Sequence, residues 1–369
     1  MAEIEIGLGK SGRRAYGLDD VSIVPSRRTR DPEHVDLSWE IDAFQFALPV
    51  LASACDSVTS PSTAIEMSEL GGAGVLHLEG LWTRFDDVDA VLDEIAGTSE
   101  AKATSRLQEL YAEPIKPELV GARIAAVKST GATCAVAVTP QRTEALAAEI
   151  LQAEPDLLVI QGTIVSAEHV SKAVAEPLNL KSFIRRFDIP VIVGDCSSHK
   201  AALHLMRTGA AGVLVGAGSG SSSTTRGVLG IGIPLATAVA DVRAARMRHL
   251  DETGVYVHVI ADGGMTTGGD MAKALALGAD AVMLGAPLAA ASEAPGRGWH
   301  WGMPSAHATL PRGHRVAVEP VGTLREVLLG PARDGQGRAN LIGALRHTMA
   351  VCGYESLKEL QKAELVVGR

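Results

Sequence analysis

The chain has 369 residues, enough for a single large domain, and its 34 Lys and Arg against 43 Asp and Glu give a formal net charge of −9. This acidic balance argues against a nucleic-acid-binding protein and against attachment to an anionic membrane surface. Hydrophobic residues make up 46% and charged residues 21% of the chain, which predicts a large buried core rather than disorder.

Eight short apolar runs recur along the chain, each ending in small or polar residues. Runs of this length, rich in β-branched residues, are typical of parallel strands buried on both faces. The stretches between them show helical periodicity, as in residues 144–151 and 200–206. The alternation predicts one (β/α)8 TIM barrel over residues 1–369, with a short insertion at about 86–120 and a flap-like loop region at about 294–340. The eight runs are 48–52, 74–77, 135–138, 157–160, 191–193, 213–215, 257–260 and 281–284.

An internal repeat supports the barrel. Residues 70–76, 208–214 and 277–283 resemble one another, and each predicts a helix that ends at a glycine before a tight turn into the next strand. The main alternative is a doubly wound open sheet. That fold would place a G-x-G-x-x-G motif after the first strand, where this sequence has Ser53–Asp56.

Residues directly after the predicted strands are the candidates for chemistry, because the functional face of a TIM barrel is the carboxyl end of its strands. The segment Gly216–Arg226 follows the sixth strand with alternate glycines and then hydroxyl side chains, which predicts a ligand loop, although flexible linkers share this composition. Gly263, Gly264 and Gly285 follow strands seven and eight and predict either phosphate binding or tight turns. Asp262 is suited either to accept ribose hydroxyls or to cap a helix. The other strand-end candidates are Ser53, His77, Thr139, Gln161, Asp195 and Ala286.

Several motifs, in the same order along the chain, resemble the IMP dehydrogenase / GMP reductase family. Residues 18–25 resemble its N-terminal signature, residues 53–58 its first-strand motif, residues 215–226 its catalytic loop and residues 260–270 its ribose–phosphate motif. Too few residues follow the second strand to hold the CBS pair that many members insert there. The chain therefore resembles the short branch of the family, a TIM barrel without a CBS insertion. Further matches are 281–285, 293–296, 302–303 and 343–346.

The resemblance implies a purine ribonucleoside monophosphate as ligand, an oxidoreductase reaction on IMP or a close analogue, NAD or NADP as cofactor, and a homotetramer or octamer. It implies that Asp262 binds the ribose, and that Gln161, standing where the family has an aspartate, contacts the cofactor together with Gly162 and Thr163. It also implies a monovalent cation such as potassium, held by the carbonyls of Gly218, Gly220 and Ser223. The remaining substrate-binding positions are Ser53, Gly218, Ser221, Gly263, Gly264, Gly285, Ala286 (usually serine in the family), Gly302 and Met303.

The catalytic positions differ from those of the family. Its mechanism uses a cysteine that attacks C2 of the purine, and here Ser223 stands at that position, with Thr225 retained. A serine hydroxyl is a much weaker nucleophile at neutral pH, and no motif supplies an adjacent base. Residues 304–312 lack the Arg–Tyr pair of the dehydrogenase flap, and Arg312 replaces the Glu or Gln of the family's proton relay. Two interpretations stay open: an oxidoreductase with weak or altered activity, and a nucleotide-binding sensor without redox chemistry.

A few side chains allow more than one role. Cys55 and Cys196 are substitute nucleophiles or small buried hydrophobic residues, and His77 is an acid–base group or a structural histidine. Residues 299–301 either cover the ligand or pack between subunits. The acidic segment Met1–Glu5 is unlike a secretory signal, and the four cysteines lack metal-binding spacing, so we expect a cytoplasmic protein.

Overall fold

Eight parallel strands close into a barrel in the structure, a computed structural model that describes residues 3–167, 178–302 and 314–368. The barrel runs from β6 to β13 in chain order, and β13 pairs back onto β6, which confirms the predicted (β/α)8 TIM barrel. Along the chain the strands are β1 Glu3–Gly7, β2 Lys10–Arg13, β3 Val21–Ile23, β4 Trp39–Ile41, β5 Phe44–Phe46, β6 Val50–Ala52, β7 Ala73–His77, β8 Ala135–Val138, β9 Leu157–Gln161, β10 Val191–Cys196, β11 Gly212–Val215, β12 His258–Asp262, β13 Ala281–Leu284, β14 Trp299–His300, β15 Val316–Ala317 and β16 Leu365–Val367.

Helices follow the barrel strands and pack around them and against one another. Several begin with a side-chain cap; Ser60, for example, accepts the amide hydrogen of Thr63 at the start of the first helix, which satisfies an otherwise unpaired donor. The helices are α1 Pro61–Glu69, α2 Val88–Gly97, α3 Glu100–Ala112, α4 Pro117–Lys128, α5 Ala147–Ala153, α6 Leu180–Ile184, α7 His199–Met206, α8 Leu235–Thr253, α9 Gly268–Ala276, α10 Ala286–Ala289, α11 Leu324–Leu329, α12 Leu341–Val351 and α13 Leu357–Leu360.

The apolar runs form strands because both of their faces are covered. Side chains such as Val136, Val193 and Ile260 are fully buried between the barrel interior and the surrounding helices. The three repeated turns contain glycine for a conformational reason: Gly71, Gly209 and Gly278 have φ values of +96°, +95° and +118°, a region that other residues rarely adopt.

The hairpin of β4 and β5 lies at the amino-terminal end of the barrel. The indole of Trp39 donates to the carbonyl of Leu48, just before β6, and packs edge-on against His258 at the start of β12. At the same end, the carboxylate of Asp280 lies 2.8 Å from the guanidinium of Arg246, and both side chains are almost inaccessible to solvent. A second cavity, of about 590 Å³, opens at this end beside Trp39, His258 and Asp280, so the packing does not seal it. The opposite, carboxyl end of the strands is the functional face of a TIM barrel.

The predicted insertion at 86–120 is helical, since it contains α2, α3 and the start of α4. Leu92 and Leu107 form a small hydrophobic core there, which Trp301 completes from beyond the last barrel strand. The flap-like region at 294–340 contains the β14–β15 hairpin and α11 in its described parts. Among the residues that the structure describes, no helix is long and apolar enough to span a bilayer.

Candidate functional site

A cavity of about 280 Å³ opens at the carboxyl ends of the barrel strands. Ser53, Thr139, Gln161, Asp195 and Asp262 line it, each placed there because it follows or ends a barrel strand. The cavity also takes in the glycine-rich loop after β11, so most of the predicted site residues lie around one space. Those from the predicted set that line it are Ser53, Gln161, Gly162, Thr163, Gly218, Gly220, Ser221, Ser223, Thr225, Asp262, Gly263, Gly264, Gly285, Ala286 and Gly302.

The loop after β11 packs against the end of β12 through its own backbone and through one hydroxyl group. Ser219 donates from Oγ to the carbonyl oxygen of Asp262 over 2.6 Å. A Cβ on Gly216 would lie only 2.1 Å from that same oxygen, so a glycine is needed for this close approach. The loop therefore covers one side of the cavity at a fixed distance from Asp262.

The glycines after β12 also serve a close backbone contact. Gly263 and Gly264 have φ values of +74° and +70°, and a Cβ on Gly263 would lie 2.7 Å from Ser219 Oγ and 2.9 Å from the amide nitrogen of Gly220. The cavity wall formed here consists of glycine backbone and small hydroxyl side chains. Such a wall allows an anionic group to approach backbone N–H groups closely.

Ser223, at the predicted catalytic position, has a hydroxyl partner rather than a base. Its Oγ donates to Thr225 Oγ1 over 3.2 Å, and the Thr225 amide donates back to Ser223 Oγ over 3.3 Å. Within the part of the chain that the structure describes, no imidazole or carboxylate is hydrogen-bonded to this hydroxyl. Among those residues, none is placed as the base that activates serine nucleophiles.

The neighbouring Ser222 does contact an imidazole. His300, in β14, has Nε2 3.1 Å from Ser222 Oγ and Nδ1 3.0 Å from Ser57 Oγ. The Ser57 hydroxyl donates to the carbonyl of Trp301, so it accepts from the imidazole, and Nδ1 carries the proton while Nε2 accepts from Ser222. Burial lowers the pKa of His300 to about 4, so the ring is neutral at physiological pH.

The same hydrogen-bonded chain continues away from the cavity. The indole of Trp301 donates to the hydroxyl of Tyr111 in α3 over 2.9 Å, and that hydroxyl donates to the carboxylate of Asp56. The Leu81 amide also donates to Asp56, over 2.9 Å. Burial raises the pKa of Asp56 to about 6, although the Tyr111 and Leu81 hydrogen bonds oppose the shift. The helical insertion is thereby connected to the cavity wall.

Three polar side chains meet on the cavity floor. Gln161 Nε2 donates to Asp262 Oδ2 over 2.9 Å, and the carboxyl groups of Asp195 and Asp262 are in hydrogen-bond contact. Burial and the Asp262 charge raise the pKa of Asp195 well above its ordinary value. Burial raises the pKa of Asp262 to about 6, against the lowering effect of its hydrogen bonds to Asp195 and Gln161. Both shifts favour a proton held by the pair, and they favour it on Asp195 rather than on Asp262.

Of the substitute catalytic residues, Cys55 lines the cavity, whereas Cys196 and His77 do not. Cys196 is buried, its Sγ lies 3.4 Å from the carbonyl of Leu214, and burial raises the pKa of the thiol, so it stays protonated. His77 is 3% exposed, and burial lowers its pKa to about 3. Both residues belong to the packed interior, where neither reaches a ligand in the cavity.

Met303, Arg312 and the flap segment 304–312 lie outside the described residues. Of the carbonyls predicted to hold a cation, that of Gly220 accepts the Ser223 amide over 3.1 Å. No cluster of His, Cys, Asp or Glu in the described ranges has the make-up of a metal site.

Sequence reasoning assigned no role to several side chains that the structure brings to the cavity. Asp195 was a strand-end candidate, but only the structure reveals its contact with Asp262. Ser222 and His300 are 78 residues apart and meet only through the fold. The signal available for His300 was its place beside Gly302 in a motif that resembles the family's purine-binding segment.

Comparisons with known proteins agree on one family. The family model that describes the IMP dehydrogenase / GMP reductase domain matches residues 15–316 of the sequence. An uncharacterized oxidoreductase of Mycolicibacterium smegmatis is 52% identical over 99% of this chain and 100% of its own length. Inosine-5′-monophosphate dehydrogenase of Methanocaldococcus jannaschii is 27% identical over 96% of this chain and 93% of its own. The crystal structure of an IMP dehydrogenase/GMP reductase-like protein from Corynebacterium glutamicum is 46% identical, with a TM-score of 0.93 over 99% of this chain and 98% of that one.

Proposed function

The chain belongs to the IMP dehydrogenase / GMP reductase family, and from that premise we propose that its barrel cavity binds a purine ribonucleoside monophosphate. The reaction we assign is an NAD(P)-dependent oxidation of IMP or a close analogue, at a rate reduced by the loss of the catalytic thiol. The tetrameric or octameric state and the cytoplasmic location belong to the same proposal.

The observation that best supports nucleotide binding is the position of Asp262 beside the glycine-rich loops. Gly263 and Gly264 hold left-handed conformations against Ser219, which leaves glycine backbone facing the cavity next to Ser221. We assign the phosphate to this wall, because N–H groups in such turns bind anions without a basic side chain. Asp262 then lies on the cavity floor, at the ribose, and Gly302 borders the space assigned to the base.

A nicotinamide dinucleotide, which would supply the hydride acceptor, fits the residues only in part. Gly162 and Thr163 border the cavity. The side-chain amide of Gln161, however, already donates its hydrogen bond from Nε2 to Asp262. Ser223 donates to Thr225 and has no base in contact with it among the described residues. This geometry therefore supports no catalytic step through the cofactor.

A second function, a nucleotide sensor without redox chemistry, is favoured by the same Ser223 contact. A hydroxyl that is hydrogen-bonded to another hydroxyl, with no base, is not activated for attack on a purine ring. In this alternative the cavity binds the nucleotide reversibly and releases it chemically unchanged.

Two measurements on the purified chain separate these functions. Thermal unfolding with IMP, XMP, GMP or AMP tests binding, since a ligand that binds only the folded state raises the melting temperature. Absorbance of NADH, recorded with IMP and NAD at high protein concentration, tests the reaction. A nucleotide-dependent shift with NADH formation supports the oxidoreductase, the shift alone supports the sensor, and neither signal contradicts both.

A further inference from the structure

Two neighbouring hydroxyls on the loop after β11 have different partners. Ser223, at the position of the family's thiol, donates to the hydroxyl of Thr225 over 3.2 Å. Ser222, one residue earlier, has its Oγ 3.1 Å from Nε2 of His300. A serine hydroxyl becomes a nucleophile at neutral pH when an adjacent base takes its proton. Of these two serines, Ser222 is therefore the one with a base within hydrogen-bond distance.

The direction of the hydrogen bond between Ser222 and His300 follows from the contacts of Ser57. The Ser57 hydroxyl donates its one proton to the carbonyl of Trp301 over 3.0 Å, and it accepts from the Trp301 amide over 3.2 Å. Toward Nδ1 of His300, 3.0 Å away, it can therefore only accept, so Nδ1 carries the ring proton and Nε2 is an acceptor. Ser222 must then donate to Nε2. A third group thus orients the imidazole toward the hydroxyl, as in the triads of serine enzymes.

The pair of Ser222 and His300 borders the part of the cavity that we assign to the purine base. Ser222 is 5% and His300 4% exposed, and both line the cavity. A Cβ on Gly302 would lie 3.5 Å from Ser222 Oγ, and a Cβ on Gly285 would lie 3.3 Å from His300 Nε2. Because both positions are glycine, no side chain there separates the pair from the cavity. A ligand in the cavity can therefore come into contact with the hydroxyl.

We propose that Ser222 is the catalytic nucleophile of this chain and that His300 is its base, in place of the thiol that is missing at Ser223. With a purine monophosphate bound, Ser222 Oγ forms a bond to C2 of the base, and the electron pair of the C2=N3 double bond moves onto N3. The proton of the hydroxyl passes to His300 Nε2 and from there to N3, so the addition needs no further reactant. The inference rests on the proposed function for the identity of the nucleotide.

The surroundings of His300 make this a slow nucleophile. Burial lowers the pKa of the ring to about 4, which keeps Nε2 unprotonated but makes it a weak base. Among the described residues, no carboxylate is hydrogen-bonded to the ring, so the imidazolium lacks the stabilisation that a triad aspartate provides. Ser222 should therefore react faster than the other serines of the loop, but more slowly than the serine of a complete triad.

Methanesulfonyl fluoride tests the nucleophile without a nucleotide. Attack by Ser222 Oγ forms an O–S bond and breaks the S–F bond, fluoride leaves with the electron pair, and His300 takes the proton. Mass spectrometry of the digested chain should place one methanesulfonyl group on Ser222 in wild type. The label should remain there in Ser223→Ala and should be absent from this loop in Ser222→Ala. The matched control is Ser105→Ala, which removes an exposed serine of α3 and should be labelled on Ser222 like wild type.

His300→Gln separates a reacting base from a structural partner. Glutamine can still accept a hydrogen bond from Ser222, but it is not a base, so labelling should slow by at least about tenfold. Thermal unfolding shows that the variant is folded, and the shorter His300→Asn takes its place if the glutamine variant is not. A label on Ser223 instead of Ser222, or equal labelling rates in wild type and a folded His300 variant, would overturn the inference.

2-Fluoroinosine 5′-phosphate tests the attack on the purine. Ser222 Oγ bonds to C2, fluoride leaves with the electron pair of the C2–F bond, and His300 takes the proton, so no cofactor is consumed. Wild type should release fluoride and carry the nucleotide on Ser222, and Ser222→Ala should do neither. A nucleotide attached to Ser223 would show that the neighbouring hydroxyl is the nucleophile and would contradict the proposal.

The two reagents separate failure of this inference from failure of the proposed function, which thermal unfolding with natural purine monophosphates tests on its own. If Ser222 is sulfonylated but no purine monophosphate binds, the nucleophile stands and the purine assignment fails. If the nucleotides bind and neither reagent modifies Ser222, the proposed function stands and the nucleophile is wrong. If the nucleotides bind and only the sulfonyl reagent reacts, the attack on C2 is wrong. If nothing binds and nothing is labelled, both proposals fail.

Discussion

Ser222 Oγ lies 3.1 Å from Nε2 of His300, which connects the glycine-rich loop after β11 to the first strand beyond the barrel. The opposite ring nitrogen is held by Ser57, so the orientation and tautomer of the imidazole are both fixed. The wall of the cavity therefore depends on one neutral, buried histidine.

Replacing His300 by phenylalanine should destabilise the protein by about 1–3 kcal/mol, because the buried hydroxyls of Ser57 and Ser222 both lose their hydrogen bond to the ring. The free energy of unfolding from urea titration measures this cost, with the exposed His347→Phe in α12 as control. The folded-state pKa of about 4 lies below the unfolded value of about 6.5. The unfolded chain thus binds more protons between these values, and stability that is full above pH 6.5 falls as pH drops toward 4. If the loss of unfolding free energy caused by His300→Phe did not change between about pH 4 and pH 6.5, the assignment of a neutral ring would be contradicted.

Ser223→Ala should leave nucleotide affinity within about twofold of wild type, because the Ser223 hydroxyl bonds to Thr225 rather than to a base. Ser223→Cys introduces a thiol at the position of the family's nucleophile, and NADH formation from IMP and NAD should rise above the wild-type rate. Calorimetric titration with IMP measures the affinity of Ser223→Ala, and the absorbance of NADH measures the turnover of both variants. Clear wild-type turnover that Ser223→Ala abolishes would show that the serine itself is the nucleophile.

Asp195→Asn should stabilise the empty protein at neutral pH. The native state holds a proton on Asp195 that the unfolded chain releases above about pH 4. The stability of the wild type should therefore fall as the pH rises from about 4 toward the raised pKa of Asp195. The asparagine variant lacks this contribution, so its melting temperature should vary less with pH than that of wild type or of the control Asp188→Asn, which changes an exposed carboxylate just before β10. Parallel curves for all three proteins would exclude a shared proton.

Arg246→Leu should destabilise the fold by about 1–3 kcal/mol without changing nucleotide affinity, because Asp280 loses its buried guanidinium partner but keeps the ammonium of Lys358 at 2.7 Å. Chemical denaturation measures the loss, and titration measures the affinity. The exposed Arg248→Leu, which breaks only the surface pair with Glu252, should cost less than about 1 kcal/mol. Loss of ligand binding in a folded Arg246→Leu protein would mean that the two ends of the barrel are coupled.

The sequence predicted the barrel strands and the glycine turns well because these depend on local signals. Apolar runs such as residues 213–215 can be buried only in a sheet covered on both faces, and Gly209 adopts a backbone conformation that few other residues tolerate. The helices at 86–120 were harder to predict, since they break the alternation and pack on a separate small core with Trp301.

The loops of the candidate site were predictable, but its hydrogen bonds were not. Asp262 and the Gly216–Arg226 segment could be placed at the carboxyl ends of strands from their order alone. The contacts of Asp195 with Asp262 and of Ser222 with His300 depend on side-chain directions across the barrel, which no spacing along the chain encodes.

The central claim is that the cavity binds a purine ribonucleoside monophosphate against the glycines after β12. Calorimetric titration with IMP, XMP, GMP and AMP, with and without NAD, tests it most directly when wild type is compared with Gly263→Ala. A Cβ at this position would lie 2.7 Å from Ser219 Oγ. We predict one nucleotide per chain for at least one of the four in wild type, and affinity at least about tenfold lower in the variant. Absence of binding in wild type, or equal binding in a folded Gly263→Ala protein, would contradict the account.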